Sequence, residues 1–183
     1  MTAYLITDPK FYTNQPSFII SKLHEVFKKH EVNYACLRDK EAKNYEELAR
    51  AFIFACNEFG VKPILHTFWL DAADLGAYGV HFGTKDFQNI PLAKAKNLFV
   101  VASAHSLHEA EEALSLGADL VTISPIFYVE NKNKPLGLEK LKEITDKIPH
   151  KCIALGGILE SSQIQMCKNA GAVGYASIRY FLK

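Results

Sequence analysis

Val121-Thr-Ile-Ser-Pro-Ile-Phe127, Ile153-Ala-Leu-Gly-Gly-Ile158 and Gly171-Ala-Val-Gly-Tyr-Ala-Ser-Ile178 decide the fold of this chain. Each is a short apolar run that stops at Gly, Ser or Pro, and a helical pattern fills the gap to the next. That is the rhythm of strand, loop and helix in a parallel barrel. The glycine pair and the small residues Ala176-Ser177 sit where such barrels bind a phosphate through main-chain N–H groups. Glycine carries no Cβ, so an anion can approach its amides closely.

Working outward, the apolar runs number eight: Tyr4–Thr7, Tyr34–Leu37, Pro63–His66, Gly79–Phe82, Phe99–Ala102, Leu120–Ile123, Cys152–Leu155 and Gly174–Ala176. They are short and almost continuously apolar, as strands buried on both faces are. Helical segments lie between them. Asn44 is placed to cap Tyr45–Phe59, with Glu47 at the third position and Gly60 as the stop. Ser106 is placed to cap Leu107–Leu116 in the same way. Gly137–Lys147 and Ser161–Asn169 follow the same plan. The pattern predicts a (β/α)₈ TIM barrel forming one domain over residues 1–183. The chain is short for that fold. A brief helix at Leu70–Leu75 and the lack of a full eighth helix after the last strand account for the economy. The sector left open would be covered by the first helix or by a partner subunit, and a homodimer is the expected assembly.

Composition narrows the function. The chain has 183 residues, is 49% hydrophobic and 22% charged, and carries a formal net charge of +1. Nothing in that balance points to nucleic acid or an anionic membrane as partner. No apolar run reaches the ~18 residues of a membrane span and no leader pattern opens the chain, so a cytoplasmic protein is expected. The four cysteines, Cys36, Cys56, Cys152 and Cys167, show no metal or disulfide spacing.

In this architecture the chemistry sits where strands run into the following loops. Arg38 and Lys40 follow the second strand, at alternate spacing. They read as a cationic clamp for phosphate or diphosphate, or as a solvated loop pair. His66, at the end of the third strand, reads as a general acid or base, or as a buried histidine with one satisfied nitrogen. After the fourth strand, Asp86 could hold Mg²⁺ or orient a ligand amine. After the fifth come Ser103, placed to touch a ligand, and His105. The longest loop, Ser124–Pro135, reads as a lid that brings Lys132 and Lys134 over the site. Gly156, Gly157, Ala176 and Ser177 form the expected phosphate cup, with Arg179 as a guanidinium for the same anion or as a solvent-facing residue.

These residues carry a family resemblance. Tyr4-Leu-Ile-Thr-Asp8, Arg38-Asp39-Lys40, Gly79-Val-His-Phe-Gly-Thr-Lys-Asp86, Ser103-Ala-His-Ser106 with Glu109-Ala110, Pro125-Ile-Phe127, Gly156-Gly157-Ile158 and Gly171-Ala-Val-Gly174 stand in order along the chain. The series resembles the thiamin-phosphate synthase and TenI (thiazole tautomerase) family over essentially the whole length. The resemblance implies a thiamine-biosynthesis barrel that binds a phosphorylated thiazole. In a synthase, a transferase, a pyrimidine diphosphate would be the second substrate. Arg38, Lys40 and Lys132 would then hold its diphosphate, Asp86 the Mg²⁺, and Ser103 would lie near the pyrimidine. Gly157 and Ser177 would hold the thiazole phosphate through main-chain amides.

The chain departs from the synthase pattern at three places. His66-Thr67 stands where synthases carry Asn-Asp, the Asp being a metal ligand. Cys36 replaces a Gln, and Val129-Glu-Asn-Lys132 replaces Thr-x-Thr-Lys. Fewer metal carboxylates and hydroxyls favour the isomerase branch, which shifts a proton on the thiazole phosphate with no metal. Members of that branch place a catalytic His where this chain has Pro125, so His66, then His105, would carry the proton. The expectation is tautomerase first, synthase as the alternative, and a non-catalytic thiazole-phosphate binder third.

Overall fold

The computed structural model describes residues 1–39 and 41–183. Eight parallel strands close a barrel in sequence order: β1 (Thr2–Ile6), β2 (Tyr34–Leu37), β3 (Lys62–His66), β4 (Gly79–Phe82), β5 (Phe99–Ala104), β6 (Leu120–Ile123), β7 (Cys152–Leu155) and β8 (Gly174–Ser177). The helices are α1 (Pro9–Tyr12), α2 (Pro16–Lys29), α3 (Tyr45–Glu58), α4 (Trp69–Asp74), α5 (Ile90–Ala95), α6 (Leu107–Ser115), α7 (Gly137–Lys147) and α8 (Ser161–Asn169). Short 3₁₀ turns occupy Thr84–Asn89 and Tyr180–Leu182.

Strand alternation sorts the side chains into two layers. Ala3, Leu5, Ala35, Leu37, Leu65, Val80 and Phe82 face outward and join the core under the helices. Tyr4, Ile6, Cys36, Ile64, Val101, Ile153 and Ala176 form a second cluster within the barrel. All four cysteines are buried thiols. Closure runs through β1 and β8, where Tyr4 pairs with Ala176 and Leu5 with Ser177.

The helix ends show which cues act. Ser106 caps α6, its Oγ accepting the Glu109 N–H at 3.2 Å. Asn44 makes no side-chain cap at α3; its φ and ψ of −114° and 48° are unsuited to one. Its amide only approaches Glu47 at 3.5 Å. Gly60 does end α3, at φ 66°.

A 3₁₀ turn at Tyr180–Leu182 follows β8. The 3₁₀ turn places Phe181, 1% exposed, over the outer face of that strand. Its ring stacks on Tyr175 at 5.8 Å and meets His30, just past α2, edge-on at 5.7 Å. Tyr12 of α1 donates its hydroxyl to the Ile178 carbonyl at 2.7 Å. Tyr12 and His30, from the segment between β1 and β2, thus pack against the chain that follows β8. Replacing Phe181 with Leu keeps most of the burial but removes three ring contacts, with Tyr175, His30 and Tyr180. Phe181→Leu is expected to cost about 1 kcal/mol, lowering the calorimetric melting temperature by roughly 2–4 °C.

Candidate functional site

The site forms at the carboxyl ends of the strands, where inward-facing positions become polar. On β4, His81 is 2% exposed and faces inward. Its Nδ1 lies 2.9 Å from the Tyr4 hydroxyl and its Nε2 2.9 Å from Ser103 Oγ on β5. Thr122 of β6 approaches the same Ser103 oxygen at 3.5 Å. Burial, with His66 and Arg38 adding to it, holds the His81 imidazole well below its ordinary range, so it is neutral. Burial pushes the Cys36 thiol up to about 12, so it is no thiolate nucleophile.

At the mouth of β3, His66 is 8% exposed and its Nδ1 lies 2.8 Å from Thr67 Oγ1. The backbone here is unusual. The Phe68 N–H bonds the His66 carbonyl at 2.8 Å and the Trp69 N–H bonds the Thr67 carbonyl at 2.9 Å. The first of these turns centres on Thr67 at φ 68°. A γ-turn with positive φ is rare and strained, and a β-branched residue is ill-suited to it. The His66 ring lies 5.5 Å from that of His81.

His105 is exposed past the end of β5. Its Nδ1 lies 2.7 Å from the Ser124 carbonyl oxygen at the root of the lid loop. A carbonyl only accepts, so Nδ1 carries the proton and Nε2 of the neutral ring keeps its lone pair. The Glu109 carboxylate accepts the His105 backbone N–H at 2.6 Å.

Arg38 lies at the top of β2, with Nη1 3.7 Å from Asp8 Oδ2. Its backbone N–H is held by Thr7 Oγ1 at 3.0 Å. Lys40, the second member of the expected clamp, lies outside the described residues. Asp86 sits in the 3₁₀ turn after β4, half-buried. Among the described residues its carboxylate has no hydrogen bond or ion pair. Lys132 is exposed in the lid, in a turn closed by its N–H on the Val129 carbonyl at 3.3 Å.

The β7–β8 corner is built from main chain. Gly156 and Gly157 have φ of 101° and 69°. A Cβ on Gly156 would lie 2.7 Å from Pro125 Cα, and one on Gly157 2.6 Å from the Tyr128 carbonyl oxygen. Close approach of the lid root therefore demands glycine here as much as any ligand does. The lid is stitched to this turn by Ile126 N–H to Leu155 O at 2.9 Å and Phe127 N–H to Gly156 O at 3.0 Å. Gln163 donates to the Gly157 carbonyl at 3.0 Å. Because the peptide is planar and trans, the Ile158 N–H points the opposite way. Among the described residues, the amides of Gly157, Ile158, Ile178 and Arg179 have no hydrogen-bond acceptor. Ser177 Oγ donates to the Ile158 carbonyl at 2.8 Å and accepts the Tyr180 N–H at 3.2 Å, so its hydroxyl braces the two strand ends. Ala176 faces the barrel interior below them, and Arg179 is exposed beside them.

The structure thus brings His66, His81 and Ser103 into one polar group and Gly156, Gly157 and Ser177 into one corner. Asp86 and Arg38 stand apart at the rim. Tyr4 and Gln163 were not singled out from sequence. The inward register of Tyr4 on β1 and the Glu160-x-x-Gln163 spacing that caps α8 were the available signals.

Comparison with known proteins bears on the family and the barrel. The family described as thiamine monophosphate synthase matches residues 3–181. The chain is 34% identical to a thiamine-phosphate synthase of Syntrophomonas wolfei, covering 96% of this chain and 85% of the relative. It is 33% identical to the Aquifex aeolicus protein named "Putative thiamine-phosphate synthase 2", covering 98% and 97%. A solved structure of thiamine phosphate pyrophosphorylase from Pyrococcus furiosus superposes with a TM-score of 0.83 at 26% identity, over 97% of this chain and 85% of that one. With a matching motif series, a matching barrel and relatives of full length, the chain belongs to the thiamine-phosphate synthase family, enzymes of thiamine biosynthesis.

Proposed function

We propose that this chain is a thiamine-phosphate synthase. It joins the thiazole nitrogen of a thiazole phosphate to the methylene of a hydroxymethylpyrimidine diphosphate and releases diphosphate. The observation that carries the reading is the half-buried Asp86 carboxylate, unpaired among the described residues, at the same barrel mouth as the amide corner of β7 and β8. Such a carboxylate is a hard oxygen donor with a place open for the Mg²⁺ that synthase chemistry uses. Relatives that carry the synthase name support it, which reverses the order expected from the departures in sequence.

The chemistry divides among this chain's own groups. The unpaired amides of Gly157, Ile158, Ile178 and Arg179 would take the thiazole phosphate, with the Arg179 guanidinium above. Arg38 and Lys132 would take the diphosphate. The C–O bond of the pyrimidine methylene breaks with its electron pair leaving on diphosphate. The thiazole nitrogen lone pair then forms the new C–N bond to the carbocation. Among the described residues no group of three or more His, Cys, Asp or Glu can hold a metal. Mg²⁺ needs only one or two carboxylates when substrate oxygens supply the rest, and Asp86 fits that minimal donor set. Bound there, Mg²⁺ supplies neutralising charge for the diphosphate.

The test is diphosphate release from the two substrates with and without Mg²⁺. Mg²⁺-dependent release is expected. No release, together with metal-free isomerisation of the thiazole phosphate, would replace this reading with the tautomerase. One observation favours that second reading. His105 is locked as the Nδ1–H tautomer, which presents Nε2 as a ready base. In that case His66→Ala or His105→Ala abolishes the isomerisation.

Arg179→Ala is expected to weaken binding of the thiazole phosphate by about 1–3 kcal/mol, as for a hydrogen bond to a charged group. Titration calorimetry reads this directly. Unchanged affinity would place the guanidinium in solvent.

A further inference from the structure

The barrel interior holds a hydrogen-bond chain whose direction follows from the chemistry of its members. Tyr4 is fully buried, 2.9 Å from His81 Nδ1, and His81 Nε2 is 2.9 Å from Ser103 Oγ. Burial raises the Tyr4 phenol well above its ordinary range, and His81 is held neutral. A protonated phenol therefore meets a neutral imidazole. The phenol has two acceptors in reach, the imidazole nitrogen and the Cys36 sulfur. The nitrogen lone pair is the stronger acceptor, since sulfur accepts weakly. Tyr4 thus donates to Nδ1. A neutral imidazole that accepts at Nδ1 carries its proton on Nε2, so His81 donates to Ser103. Thr122 also donates to Ser103 Oγ, at 3.5 Å. Both bonds that reach Ser103 from inside the barrel are bonds it accepts. Among the described residues its own proton has no acceptor.

We propose that Tyr4 and His81 are positioning residues that fix Ser103 as a hydrogen-bond donor at the barrel mouth, where it takes an acceptor atom of the substrate, a ring nitrogen of the aminopyrimidine. Only the identity of that acceptor rests on the synthase reading; the direction of the chain does not. The opposite direction would leave Ser103 offering a lone pair and would select a substrate donor, such as an exocyclic amine.

The test is a long-range proton–nitrogen correlation spectrum of the intact protein labelled with nitrogen-15 at histidine, recorded without substrate. His81 is expected as the Nε2–H tautomer, and Tyr4→Phe, which removes the donor to Nδ1, is expected to shift it toward a mixture. In the synthase assay, Tyr4→Phe is expected to lower kcat roughly three- to tenfold, the worth of one net hydrogen bond, with the KM for thiazole phosphate unchanged. An Nδ1–H tautomer in the wild-type protein, or an unchanged kcat in a folded Tyr4→Phe variant, overturns the proposal. The wild-type spectrum decides the direction even if the variant does not fold. An Nε2–H tautomer in a protein with no synthase turnover would sink the synthase reading and leave the chain standing.

Discussion

Gly157→Ala is expected to lose stability and ligand together. The residue has φ 69°, and an added Cβ would lie 2.6 Å from the Tyr128 carbonyl oxygen and 2.8 Å from Phe127 Cβ. The first neighbour is main chain and cannot rotate away. Two costs add: about 1–3 kcal/mol for an L-residue held at positive φ, and about 1–3 kcal/mol for overpacking against the lid root. Relief requires moving Phe127 and Tyr128. Those residues follow the bonds that tie the lid to β7, Ile126 N–H to Leu155 O and Phe127 N–H to Gly156 O. The amides of Gly157 and Ile158 shift with them, so thiazole-phosphate affinity is expected to fall at least tenfold, roughly the loss of one charged hydrogen bond. Gly60→Ala is the control. Gly60 also has positive φ, 66°, but an added Cβ there meets nothing within 4 Å. It carries the conformational cost alone and leaves binding intact. Equal melting temperatures and affinities for the two variants would mean that the lid contact imposes no constraint and that the amide corner holds no ligand.

The glycine pair illustrates how far residues alone can be read. Its place after β7 followed from the apolar runs, and the positions of β2, β4, β6 and β7 agree with those runs residue for residue. The second reason for glycine, the lid root against its Cα atoms, joins positions far apart in the chain and leaves no local trace. The same limit hid the Tyr4–His81 bond, which spans 77 positions. Periodicity says which face a strand residue takes, not which partner waits across the barrel. Strand ends blurred where polarity and exposure diverge. β1 begins at Thr2, whose N–H bonds the Val173 carbonyl at 2.9 Å. β5 runs on to Ala104 because Ser103 is polar yet still points inward. Asn44 has a good capping side chain in a backbone conformation that cannot use it. The mouth of β3 was readable as a departure from the synthase pattern, but its paired γ-turns were not.

That departure supports the sharpest test of the metal. Asp86→Asn removes the one carboxylate assigned to Mg²⁺ while keeping its size. It is expected to cut Mg²⁺-dependent turnover by roughly 100-fold, at the upper end of what even outer-sphere partners of a metal are worth. Thr67→Asp should act in the opposite sense. Thr67 sits at φ 68°, at the centre of a γ-turn to which a β-branched residue is ill-suited. The exchange removes the β-branch from that turn and places a second hard oxygen donor at the mouth of β3, next to His66. Two carboxylates with substrate oxygens are a fuller Mg²⁺ set than one. The Mg²⁺ concentration for half-maximal diphosphate release is expected to fall about tenfold, equivalent to ~1.4 kcal/mol. The lost Thr67 Oγ1 contact to His66 Nδ1 need not be missed, because an Asp carboxylate can accept from a protonated Nδ1 in its place. Combined with Asp86→Asn, Thr67→Asp should recover part of the lost turnover. If Asp86→Asn left the Mg²⁺ dependence untouched, or Thr67→Asp moved neither the half-maximal Mg²⁺ concentration nor the double variant, then the metal would have no carboxylate at this rim and the proton-transfer reading would take precedence.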